Sequence, residues 1–81
     1  MEITVKYFGI IADITQKKEE VFSFESESNT LNSLKSKIEI NYHKMLDIKY
    51  SIAVNKVVIT NCEVGLYDKD VVAFLPPFAG G

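Results

Sequence analysis

The residues best suited to chemistry stand at the end of the chain, in the run Pro76-Pro77-Phe78-Ala79-Gly80-Gly81. Two consecutive prolines fix φ and lack N–H donors, so they end a sheet strand and begin a stiff, extended arm. The last three residues carry almost no side chain, which suits entry into a narrow channel of another protein. We predict that residues 76–81 form a flexible tail that acts inside a partner.

The chemistry available at Gly81 is that of a carboxyl group at the chain end. A free carboxylate does not react with nucleophiles, but its mixed anhydride with AMP is an activated acyl group. A sulfur donor that displaces the AMP leaves a thiocarboxylate, whose anionic sulfur can attack carbon. We therefore expect one partner that uses ATP to adenylate Gly81 and another that consumes the sulfur. We expect no bound cofactor on the chain itself.

The composition excludes several other classes of protein. The 81 residues suffice for one small domain, and the net charge is -2, with all nine basic residues being lysine. Nucleic-acid binding is not expected, because there is no basic stripe and no arginine. A lone Cys62 and a lone His43 give no metal-ligand spacing, so we expect no metal. We interpret Cys62 as structural or incidental and His43 as solvated near a helix end.

No segment indicates a membrane. No apolar run approaches the roughly 20 residues that a membrane helix needs, and the opening residues lack the apolar stretch of a signal peptide. We expect a cytoplasmic protein.

The elements that must position the tail begin with two strands. Residues 2–8 alternate, with Ile3, Val5 and Tyr7 on one face and Phe8 interrupting the polar face. Residues 9–19 form a connector with one helical turn. Residues 20–25 form the second strand, antiparallel to the first.

A helix and three further strands complete the predicted domain. Leu31, Leu34 and Ile38 have helical spacing, which predicts a helix at about 30–43 after a Ser-Asn-Thr start. Residues 51–54 and 57–59 flank Asn55-Lys56 at the spacing of a tight hairpin, and residues 71–75 form the last strand. This order predicts an α+β, β-grasp (ubiquitin-like) fold with a mixed sheet of about five strands on one main helix. The domain would span residues 1–75.

An exposed apolar patch is expected on the sheet face that turns away from the helix. If the last strand lies beside the first, Ala73 and Leu75 would adjoin Phe8, and Val58 would extend the patch. Exposed apolar patches mark interfaces, so we predict that these four residues contact a partner. The alternative is that a loop covers Phe8.

The stretch from Ala53 to Gly81 resembles the small subunit of molybdopterin synthase. The shared features are AVN at 53–55, DxDxVAF at 68–74 and PPxxGG at 76–81, and VKYFGIIADIT at 5–15 is also similar. The sequence departs from the family at Ala12-Asp13, where an Arg-Glu pair is frequent, at residues 15–17, where a glycine is frequent, and at Phe78, where a smaller aliphatic is usual.

The resemblance implies a sulfur carrier without turnover of its own. Gly81 would carry the thiocarboxylate into the large catalytic subunit and sulfurate a pyranopterin precursor of molybdopterin. The implied partners are that large subunit, in a heterotetramer, a ubiquitin-activating-enzyme-like adenylyltransferase that uses ATP, and a sulfur donor system.

Three alternatives stay open. The chain could carry sulfur for another pathway, such as thiamine thiazole synthesis or tRNA thiolation, although Pro76-Pro77 argues against the thiazole carrier. It could be a ubiquitin-like modifier joined through Gly81 to lysines, although the tail is uncharged from Val71 onward. It could also be a β-grasp binding module with an idle terminus. A β-grasp ferredoxin is excluded by the single cysteine.

Overall fold

The computed structural model describes residues 1–25 and 29–77, which form five strands, two α-helices and one 3₁₀ helix. Along the chain these are β1 (Glu2–Tyr7), α1 (Ile10–Thr15), β2 (Glu19–Ser23), α2 (Leu31–Asn41), the 3₁₀ helix (His43–Asp47), β3 (Ser51–Val54), β4 (Val57–Ile59) and β5 (Val71–Leu75).

The strands form one mixed sheet in the order β2-β1-β5-β3-β4. β5 pairs parallel to β1 and antiparallel to β3, so the last strand in the sequence lies at the centre of the sheet. The two hairpins, β1–β2 and β3–β4, supply the outer strands. The predicted α+β, β-grasp fold with five strands and one main helix is confirmed.

The core lies between α2 and one face of the sheet, here called the inner face. The alternation in β1 buries Ile3, Val5 and Tyr7 as predicted, and the stripe on α2 buries its three expected residues completely. α2 begins after Thr30, whose Oγ1 accepts a hydrogen bond from the Ser33 N–H at 3.2 Å. That cap satisfies one of the free N–H groups at the helix start.

Several predicted boundaries were wrong by one or two residues. β1 ends at Tyr7, not residue 8, because the chain turns at Gly9, whose φ is +56°. The second strand is Glu19–Ser23 rather than 20–25. α2 ends at Asn41 rather than 43, because Tyr42 has the non-helical angles φ -133° and ψ 81°. His43 is exposed, but it begins a 3₁₀ helix that was not predicted.

The β3–β4 turn is held by Asn55. Asn55 and Lys56 have φ values of +49° and +73°, as in a type I′ turn. The Asn55 Oδ1 accepts from the Val71 N–H at 3.0 Å, and its Nδ2 donates to Asp70 Oδ1 at 3.0 Å. The Asn55 N–H also donates to the Val71 carbonyl at 2.8 Å. The side chain therefore joins the hairpin to the start of β5.

The two aspartates of the DxDxVAF pattern fix the loop that leads into β5. Asp68 Oδ1 accepts from the Glu2 N–H at 2.7 Å, and the Lys69 N–H donates to the Glu2 carbonyl at 2.7 Å. Asp70 Oδ2 accepts from the Tyr67 N–H at 2.8 Å. These aspartates are thus structural groups whose partners are backbone atoms and Asn55.

Candidate functional site

The tail begins at the end of β5, in the middle of the sheet. Leu75 ends the strand and is half-buried with Pro76, whereas Pro77 is exposed. Phe78, Ala79, Gly80 and Gly81 lie outside the described residues. The structure therefore gives the place from which the predicted tail departs.

Gly9 and Phe8 flank this departure point. The Phe8 N–H donates to the Phe74 carbonyl at 3.2 Å, which extends the pairing of β1 with β5 by one bond. A Cβ built on Gly9 would lie 3.0 Å from Pro76 Cγ, closer than side chains ordinarily approach. Glycine at position 9 therefore allows the turn after β1 to pack closely against the first proline.

The four residues predicted as an interface lie on the sheet face opposite α2, here called the outer face. Lys6 pairs with Ala73. Phe8 and Leu75 lie two residues further along the two strands, so their side chains are on the same face of the sheet as those of Lys6 and Ala73. Phe8 is 44% exposed and Val58 is 55% exposed, so no loop covers Phe8 among the described residues. The expected juxtaposition exists, and the role of the four residues in partner contact stays a prediction.

Ala53 also belongs to this outer face, and it was not among the predicted interface residues. It pairs with Ala73 on β5 and with Val58 on β4, so it connects the predicted residues across the sheet. Its 5% exposure follows from its central position rather than from facing the core. Neighbouring residues of a strand point to opposite faces of the sheet, and Ile52 packs into the core. The alternation along β3 could therefore have predicted that Ala53 lies on the outer face.

Four ionisable groups with shifted pKa values form a cluster around Glu20 on the inner side of the sheet. Glu20 Oε2 accepts from the Tyr7 hydroxyl at 2.6 Å and the Tyr42 hydroxyl at 2.9 Å, and Lys17 Nζ lies 3.2 Å from Oε1. Burial favours a raised pKa for Glu20, but these three hydrogen bonds outweigh it and lower the pKa. Burial, assisted by Glu20, raises the pKa of Tyr7. The cluster thus joins β1, β2 and the end of α2.

The lone cysteine and histidine occupy ordinary positions. Cys62 is half-buried, and its backbone carbonyl accepts from the Asn32 N–H at 2.8 Å, near the start of α2. Within residues 1–25 and 29–77, no group of three or more His, Cys, Asp or Glu side chains converges as a metal site requires. Over the same residues, no helix is long and apolar enough to cross a membrane.

The fold is similar to that of several solved structures, and the similarity covers nearly the whole chain. Molybdopterin converting factor subunit 1 from Pyrococcus furiosus matches with 24% identity and a TM-score of 0.87, covering 96% of this chain and 99% of that one. The complex of molybdopterin-converting factor subunits 1 and 2 from Helicobacter pylori matches with 26% identity and a TM-score of 0.73, covering 100% of both chains. Small archaeal modifier protein 1 from Methanosarcina acetivorans matches with 20% identity and a TM-score of 0.79, covering 99% and 96%.

A family model matches residues 5–81, and together with the β-grasp fold it defines a ThiS-like sulfur carrier. The chain belongs to the ThiS family. A comparison with curated protein sequences gives no significant match.

Proposed function

We propose that this chain is the small subunit of molybdopterin synthase, carrying sulfur on Gly81. The observation that carries the proposal is the position of the tail root beside the apolar outer face. Pro76 leaves the domain next to Gly9, and exposed Phe8 lies directly before that glycine. A partner that covers the outer face would therefore also receive the tail.

The proposed cycle balances at the Gly81 carboxyl group. The carboxylate attacks the α-phosphorus of ATP and pyrophosphate leaves, which gives an acyl adenylate. Hydrosulfide supplied by the donor system then displaces AMP and loses its proton, which leaves the thiocarboxylate. In the large subunit the thiocarboxylate sulfur displaces an oxygen substituent from a carbon of the pyranopterin precursor, and that oxygen leaves as water or phosphate. Water then cleaves the acyl–sulfur bond and restores the carboxylate. This chain supplies the carrier atom and the docking surface, and its partners supply the catalytic groups.

The structural neighbours support this pathway and its partner. Two of them are named as molybdopterin converting factor, and one of these was solved as a complex of subunits 1 and 2. By analogy we assign this chain a large-subunit partner in a heterotetramer, together with a ubiquitin-activating-enzyme-like adenylyltransferase. We place this assembly in the cytoplasm, where ATP is available for the activation step.

The test is the intact mass of the chain after incubation with ATP, the adenylyltransferase of the same organism and a sulfur source. We expect a shift equal to replacement of one oxygen by sulfur. A variant that lacks Gly81 is the control, and it should show no shift while remaining folded by circular dichroism. Adding the large subunit and the precursor should reverse the shift. An unmodified wild-type mass contradicts the carrier chemistry, and a stable thiocarboxylate that the large subunit does not consume contradicts the pathway.

A second candidate is a protein modifier, favoured by the structural likeness to small archaeal modifier protein 1. In that case the activated Gly81 would be joined to lysines of other proteins. Mass spectrometry of tryptic peptides from native cells would then find lysines joined to residues 70–81, because Lys69 is the last trypsin site before the tail. If neither conjugates nor sulfur transfer occur and removal of Gly81 changes nothing, the chain is a passive binding module.

A further inference from the structure

A groove of about 370 Å³ lies on the outer face. Its floor is β5, its sides are β1 and the β3–β4 turn, and it is lined by Lys6, Phe8, Asn55, Lys56, Val71 and Ala73. It opens on the same face as the predicted interface and extends from Val71, at the start of β5, to Phe8, beside the tail root.

The groove exists because small side chains lie between larger ones. Ala73 on the floor has only a methyl group, and it pairs with Lys6 on β1. Lys6 and Phe8 form one side of the groove, and Asn55 and Lys56 of the β3–β4 turn form the other. A groove of this size accepts one apolar side chain of a partner element at its centre.

Both charged residues that line the groove are cations. Neither the Lys6 nor the Lys56 ammonium group forms an ion pair within the part of the chain that the structure describes, where Lys17 with Glu20 is the pair found. Glu19 stands opposite Lys6 on β2 without pairing to it. Asp70, near the groove, already accepts hydrogen bonds on both carboxylate oxygens from Asn55 and Tyr67. The side chains that line the groove therefore carry two positive charges and no negative charge, although the chain has a net charge of -2.

Lys56 occupies a position where the backbone favours glycine. Its φ of +73° lies in the left-handed region, which costs free energy for a residue with a Cβ. Lysine at this position places a positive charge beside the groove, although the left-handed backbone conformation is less favourable for lysine than for glycine. Lys6 provides the matching cation on the other side.

We propose that Lys6 and Lys56 select the partner, by receiving carboxylates that flank an apolar side chain inserted between them. The proposal rests on the proposed function, since the occupant is the surface of the partner protein that also accepts the tail. The apolar floor would provide burial, whereas the two cations would set the partner's orientation and accelerate encounter. Charges at the edge of an interface act mainly on the association rate and its salt dependence.

The test uses the intact chain and the large subunit of molybdopterin synthase from the same organism, with association measured by stopped-flow fluorescence. We expect Lys6→Glu/Lys56→Glu to slow association about tenfold at low salt, and the difference to shrink below about threefold at 1 M salt. The matched control is Lys44→Glu/Lys49→Glu, which makes the same charge change at two exposed lysines in the 3₁₀ helix and the loop after it. This control should associate within about twofold of wild type.

Two further outcomes separate this inference from the proposed function. If Phe8→Ser weakens binding but the Lys6/Lys56 variant behaves like the control, the outer face is the interface and the cation proposal is wrong. If wild type does not bind the large subunit at all, the proposed function is wrong as well. An equal loss in both lysine variants would indicate a nonspecific charge effect and would also overturn the proposal. Circular dichroism and urea unfolding of each variant exclude misfolding as the cause.

Discussion

Replacing Asn55 should reveal how the hairpin holds β5 in place. Asn55→Ala removes the Oδ1 acceptor of the Val71 N–H and the Nδ2 donor to Asp70. It also places alanine at a φ of +49°, which asparagine tolerates better. The hydrogen bonds are exposed, so we assign about 0.5–1 kcal/mol to each. The backbone adds about 1 kcal/mol.

The sum predicts that Asn55→Ala lowers the free energy of unfolding by about 2–3 kcal/mol. A domain of 81 residues has a total of about 4–12 kcal/mol, so the loss is readily measured. The assay is urea unfolding followed by circular dichroism, compared at constant m-value. Hydrogen exchange at the Val71 amide should accelerate in parallel, because that N–H loses its acceptor.

Two matched variants separate the causes. Asn55→Gly loses the same hydrogen bonds but relieves the backbone cost, so it should recover about 1 kcal/mol relative to alanine. Asn55→Asp keeps an acceptor for Val71 but brings a second carboxylate against Asp70. It should therefore be destabilised at pH 7 and recover partly when the pair is protonated. If alanine and glycine variants both remain within about 0.5 kcal/mol of wild type, the assigned role of Asn55 is wrong.

Three other perturbations have defined outcomes. Phe8→Ser should lower the free energy of unfolding by only about 1–1.5 kcal/mol, because the ring is already 44% exposed. The same substitution should weaken binding to the large subunit at least about tenfold, as measured by titration calorimetry. The pKa of Glu20 is lowered in the folded state, so its carboxylate stabilises the fold at pH values above the unfolded pKa of about 4.3. That stabilisation is lost as the pH falls through the folded pKa. Glu20→Gln should therefore reduce the difference between the free energies of unfolding at neutral and acidic pH, measured by urea titration. Burial and the hydrogen bond to Glu39 raise the pKa of Tyr50, so its contribution to stability is complete below about pH 10 and is lost as the pH rises further. In thermal melts, Tyr50→Phe should not show that loss of stability at alkaline pH. If the melting temperature falls with rising pH as steeply as in wild type, the assignment is wrong.

The architecture was predictable where burial is periodic. Ile3, Val5 and Tyr7 alternate as a half-buried strand must, and the stripe on α2 repeats at helical spacing. These patterns are local, so a sequence alone contains them. The apolar outer face followed once β1 and β5 were taken as neighbours.

The features that escaped prediction depend on distant partners. Asn55 was read only as a turn residue, because Val71 and Asp70 lie 16 and 15 positions away. Tyr42 ends α2 with its hydroxyl on Glu20, 22 positions earlier in the chain. Ala53 was not assigned to either face of the sheet, and its register with Ala73 and Val58 places it on the outer face. Local propensity cannot report contacts that the sheet itself creates.

The central position of β5 has a consequence for how the protein is made. β1 emerges early from the ribosome, but its parallel neighbour β5 is separated from it by nearly the whole described chain. The sheet therefore cannot be completed while residues 71–75 are still inside the exit tunnel. Pairing of such distant strands is slow, and until it occurs the edges of both hairpins are open to aggregation. A translation product truncated before β5 should not fold. Proteolytic clearance of such fragments would restrict the folded pool to chains that have β5 in place.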